Sequence, residues 1–97
     1  MPRVELTPEA VGTVDALIES HELPGNTWDR VHDSLDPLRR FPRAGRALTG
    51  HWHGFRAVVG PWGWMLLVYA YDETADRVVV VTAQDARRST SATSLDA

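Results

Sequence analysis

The hydrophobic period of this chain turns from helical to strand-like near residue 51, and that change restricts the fold more than any motif. Ahead of it lie two helical stripes. Ala10, Val11, Val14, Leu17 and Ile18 recur at helical spacing behind Thr7-Pro8-Glu9, which supplies a cap, a proline at the first helical position and an acid in the first turn. Pro24-Gly25 ends that helix. Trp28, Val31, Leu35 and Leu38 form the inner face of a second helix, capped by Asn26 or Thr27. Asp36-Pro37 interrupts it, so the last turn is kinked or restarts with Asp36 as cap.

Beyond a loop from Phe41 to about His51, the pattern alternates. Phe55, Ala57 and Val59 face one way, Trp52, Arg56 and Val58 the other, and Gly60-Pro61-Trp62-Gly63 is a turn. Trp64 to Tyr71 and Arg77 to Thr82 are apolar on both faces, as strands covered on both sides would be, with a polar turn between them. Arg3-Val4-Glu5-Leu6 alternates as a short opening strand. The order β-α-α-β-β-β predicts an α+β fold, a helical hairpin packed on a mainly antiparallel four-stranded sheet with the first strand at an edge. The domain spans residues 1–86, and 87–97 reads as a flexible C-terminal tail.

Ninety-seven residues suffice for one core of modest stability. The absence of cysteine excludes disulfides and thiolate metal sites, and the absence of lysine excludes Schiff-base chemistry. No apolar run approaches the roughly 20 residues that span a bilayer, and the N-terminus lacks the apolar stretch of a secretory leader. We expect a cytoplasmic protein with no membrane association.

All ten basic residues are arginines, and they are unevenly placed. The first 38 residues carry eight acids against Arg3 and Arg30. The stretch from Arg39 to Arg56 then holds Arg39, Arg40, Arg43, Arg46 and Arg56 with His51 and His53, and no acid. A single-sign block on an acidic domain can hold phosphate or an acidic partner. Arg39 and Arg40 end a helix, where cations meet the carbonyl end of its dipole. Arg43, Arg46 and Arg56 have no such local explanation.

The element order resembles the RelE/ParE toxin superfamily. The resemblance is carried by Leu35, Leu38, Phe41, Pro42, Gly45 and Leu48, by Gly54-Phe55-Arg56 leading into a strand, and by Tyr69 closing the next. It covers about residues 3 to 85 and implies a toxin of a type II toxin–antitoxin module. Such a toxin is neutralised by a cognate antitoxin and acts on translation, by ribosome-dependent mRNA cleavage, or on DNA gyrase. The alternative is a catalytically inactive toxin-derived fold serving as a protein-interaction module. No cofactor is implied.

By the same resemblance, Arg56 matches the arginine beside the scissile phosphate in RNA-cleaving members, a role suited to a permanently charged, bidentate donor. His51 or His53 would move the proton. The two imidazoles are also a conceivable metal edge, but no third ligand accompanies them, so no metal site is expected. Arg43, Arg46, Arg87 and Arg88 are candidates for nucleic-acid contact, and Trp52 and Trp62 for a partner-binding platform. His21 and His32 read as solvated helix surface. The chain departs from the cleaving pattern twice. Leu66 stands where a second cation is expected, and no aromatic follows Gln84.

Overall fold

The computed structural model describes residues 1–88 and Ser91. Strand β1 (Arg3–Leu6) leads into helix α1 (Pro8–Ser20), then α2 (Thr27–Leu35), which continues as a 3-10 turn over Asp36–Arg39. Strands β2 (Arg46–Ala47), β3 (Arg56–Val59), β4 (Met65–Asp72) and β5 (Arg77–Asp85) follow, with a second 3-10 turn, Gly50–Trp52, between β2 and β3. The helix starts follow local chemistry. Thr7 accepts a hydrogen bond from the Ala10 amide and precedes Pro8, whereas Asn26 makes no side-chain cap. The interruption at Asp36-Pro37 is the start of the 3-10 turn, but Asp36 is its first residue and not its cap, a position Leu35 takes without a side-chain bond.

The sheet has five strands in the order β1-β5-β4-β3-β2. The expected four are present, with β1 parallel to β5 at one edge and the rest antiparallel. The fifth, β2, corrects the reading of residues 41–51 as loop. Two exposed residues carry no hydrophobic period of their own, and their strand geometry comes from the ladder that β3 offers.

Two apolar clusters flank the sheet. On the helix side, Ala10, Val14, Val31, Leu35 and Leu38 pack on Met65, Leu67, Tyr69, Val78 and Val80. Full burial of each such aliphatic side chain stabilises by about 1.5–3 kcal/mol. On the far side, Leu48, Ala57, Leu66 and Val68 form a smaller cluster, against which Trp52 and Phe55 pack from the β2–β3 connection.

The expectation that β5 is buried on both faces is corrected. Val78 and Val80 are buried but Val79 and Val81 only half so, because the far face is covered over just part of its width. A β-bulge adds to this. Val68 pairs with Thr82 and Tyr69 with Val80, so Val81 is left without a partner opposite. Val81 joins the far-face cluster, while Ala83 joins the helix-side core. Strand β5 also runs to Asp85, beyond the Thr82 end read from the sequence. Of the expected tail, residues 89, 90 and 92–97 lie outside the described residues. Among the described residues no helix is long and apolar enough to cross a membrane.

Candidate functional site

The arginine-rich segment is folded down onto the sheet by two side chains that point out of it. The Tyr69 hydroxyl, fully buried, donates to the Pro42 carbonyl at 2.8 Å and accepts the Gly45 amide at 2.9 Å. Arg56 lies directly opposite Tyr69 in the β3–β4 ladder, and its Nη1 donates to the carbonyls of Arg43 at 3.1 Å and Gly45 at 2.9 Å. Four backbone groups of an irregular loop are thereby satisfied from β3 and β4. Burial raises the Tyr69 phenol pKa, against opposing effects of the Gly45 amide and the Arg56 charge. The phenol is therefore held neutral, as its donation to Pro42 requires.

The three residues expected to act together lie on different elements, and no side-chain contact joins them. Arg56 leaves β3 on the side of Tyr69, the helix side. His51 and His53 sit in and just after the Gly50–Trp52 turn, whose Trp52 packs on the far side. The segment is thus a tight turn and not extended. Both histidines are exposed, and neither side chain bonds to Arg56 or to any other described residue. Leu66, at the position of the expected second cation, is buried in the far-side cluster.

The remaining candidate cations divide into engaged and free. Arg43 pairs with Glu73 at 3.1 Å and lies 4.9 Å over the Tyr71 ring. Arg87 chelates Asp85 through Nε at 3.0 Å and Nη2 at 2.9 Å. These contacts supply the structural explanation for Arg43 and Arg56 that the sequence lacked. Arg40, Arg46 and Arg88 make no ion pair with any described residue. Arg46 shares the far face with Ala57, its ladder partner. Arg88 borders a hollow of about 460 Å³ between α1 and the end of β5, together with Thr13, Ser20, Thr82 and Ser91.

Trp52 and Trp62 are both half-buried. Trp52 meets Phe55 edge-on, with ring centroids 5.7 Å apart. Trp62 belongs to a ladder of stacked rings and cations. Arg30 lies over Trp62 at 5.6 Å, Trp62 stacks on Trp64 at 6.4 Å, and Trp64 stacks on His21 at 4.4 Å. Arg87 covers Trp64 at 5.2 Å, and His21 Nε2 stands 3.6 Å from Asp85. His21 is therefore a packed residue at the end of α1 and not the solvated surface expected. Sequence spacing misses it because Trp64, Asp85 and Arg87 lie more than 40 residues further along the chain. Hydrogen bonds from the Arg87 side chain and amide hold the Asp85 carboxyl far below the usual carboxylate range, against the opposing effect of burial.

The exposed aromatic lies elsewhere. Phe41 is 64 % exposed, and among the described residues no other Phe, Tyr or Trp is exposed. The signal available in the sequence was its place between Arg40 and Arg43, beside Pro42. Among the described residues no group of three or more His, Asp or Glu side chains could hold a metal ion.

This arrangement of a helical hairpin on a mostly antiparallel sheet is the RelE/ParE toxin fold. The toxin–antitoxin complex RelBE2 from Mycobacterium tuberculosis aligns with a TM-score of 0.64 at 22 % identity, over 87 % of this chain and 90 % of that one. The chromosomal ParDE system from P. aeruginosa aligns at 0.68 with 13 % identity, over 88 % and 96 %. The intact E. coli RelBE complex aligns at 0.65 with 15 % identity, over 91 % and 100 %. No protein-family description and no curated protein matches the chain by sequence.

Proposed function

We propose that the chain is the toxin of a type II toxin–antitoxin module, neutralised by a cognate antitoxin, and that it arrests growth by binding its target rather than by cutting RNA. The fold supports the first part, since the similar structures include toxins bound in toxin–antitoxin complexes. The observation that carries the second is Arg56. Its Nη1 is engaged by two loop carbonyls, and neither histidine is bonded to it. A cleavage site needs cation and proton carrier converging on one phosphate. Here neither exposed histidine contacts Arg56, and the buried Leu66 stands in place of a second cation. DNA gyrase is then the favoured target, in the cytoplasm, reached through surface arginines that keep their charge free.

Controlled expression of the full chain tests both parts. Growth arrest relieved by co-expression of the neighbouring reading frame is the expected outcome. Gyrase–DNA breaks should accumulate while message 5′ ends stay unchanged. Codon-positioned cuts in translated message would overturn the binding mechanism. Unimpaired growth at verified soluble expression would overturn the toxin reading and favour a protein-interaction module.

A further inference from the structure

We infer that the loop from Arg40 to Ala44 is a docking site for a protein segment that presents a carboxylate next to one large apolar side chain. The inference does not rest on the toxin reading. Arg40, Phe41, Pro42, Arg43 and Ala44 line an open hollow of about 470 Å³ on the surface. Phe41 and Pro42 give its lining an apolar part, and Arg40 and Arg43 a cationic one.

Phe41 is not exposed because its loop is loose. The Phe41 amide donates to Pro37 O at 2.9 Å, and the Ala44 amide to Phe41 O at 3.0 Å. Tyr69 holds Pro42 and Gly45, and Arg56 holds Arg43 and Gly45. Every residue from Phe41 to Gly45 thus has a backbone group tied. A large aromatic held in water on a fixed loop loses little further freedom on binding, which favours its use as an anchor.

Charge selects the occupant. Arg40 makes no ion pair with any described residue, so an incoming carboxylate gains a partner without breaking one. Arg43 is paired with Glu73, both exposed, and a second acid can exchange with that side chain. The lone aromatic disfavours nucleic acid, since single-stranded nucleic acid calls for successive aromatic platforms, and among the described residues Phe41 is the one exposed aromatic.

The test uses the full chain and two fluorescent probes of equal length, a polyglutamate peptide carrying one central Trp and an oligouridylate. Binding is read by anisotropy at low salt, and the site by amide shifts. The peptide should bind, shift the amides of Arg40, Phe41, Arg43 and Ala44, and weaken with added salt. Phe41→Ser and Arg40→Glu should each weaken it by at least about tenfold while leaving the melting temperature unchanged. Peptide binding that survives both substitutions would overturn the site. Tighter binding of the oligouridylate to the same loop would overturn the class of partner. No binding of the peptide by the wild-type chain would overturn the proposal outright.

Discussion

Tyr69 and Gly45 are fitted to each other. The Gly45 amide donates to the Tyr69 hydroxyl at 2.9 Å, and a Cβ added at Gly45 would lie 2.6 Å from that oxygen and 2.9 Å from the Ala57 carbonyl. The contact joins the middle of β4 to the arginine-rich loop, 24 residues earlier in the chain. It needs both a hydroxyl reaching out of the core and a residue with no side chain to receive it.

Gly45→Ala should therefore destabilise by overpacking, by about 1–3 kcal/mol. Tyr69→Phe should cost a similar amount, about 1–3 kcal/mol, by leaving the Pro42 carbonyl and Gly45 amide without their partner. Chemical denaturation of each variant checks the pair. Because the two substitutions break one contact, the double variant should lose less than the sum of the singles.

Arg56 is a test of role as well as of stability. Its two carbonyl contacts are half-exposed, so Arg56→Ala should cost about 1–2 kcal/mol, with much of the Coulombic part screened by solvent. Amide shifts in the variant should spread over residues 43–45. An Arg56→Ala variant with wild-type stability and no growth arrest would restore the phosphate-binding role implied by the resemblance.

The Asp85 carboxyl sets an acid limit. In the unfolded chain an aspartate titrates near pH ~3.9, and in the fold Arg87 holds this one lower. The unfolded state then binds more protons as pH falls, so the stabilisation is present above about pH 4 and is lost progressively below it. Wild type should lose more stability than Asp85→Asn between roughly pH 5 and pH 3, measured by urea midpoint. Equal losses would show that other carboxylates set the acid limit.

His51 and His53 should be dispensable. Both are exposed and without side-chain partners, so replacing both with alanine should change stability by no more than about 0.5 kcal/mol. Growth arrest by the double variant should equal that of wild type. A variant that folds but no longer arrests growth would return a proton carrier to the mechanism.

Much of the fold was legible because it follows from local periodicity. The helical stripes from Ala10 to Ile18 and from Trp28 to Leu38, and the apolar run from Trp64 to Tyr71, each have to bury a face, and few layer arrangements allow it. Thr7-Pro8 and Asp36-Pro37 mark their breaks through backbone chemistry that acts within a few residues. The strand Arg46–Ala47 was not legible, since two exposed residues take their conformation from a neighbour in the ladder.

The sequence by itself determined the element order, the helical hairpin, the concentration of arginine between residues 39 and 56, and the toxin-like spacing from Leu35 to Tyr69. Only the tertiary structure decided which charges are free. Arg43 meets Glu73, Arg56 meets the carbonyls of the loop before its own strand, and His21 meets Trp64 and Asp85. Each pairing spans at least 11 residues, and no local pattern records it. Side-chain hydrogen bonds and ion pairs act over a few ångströms of space, whereas periodicity reports only which face of an element is buried. The same limit hid the exposed Phe41, whose place in water depends on how Tyr69 and Arg56 hold the loop around it.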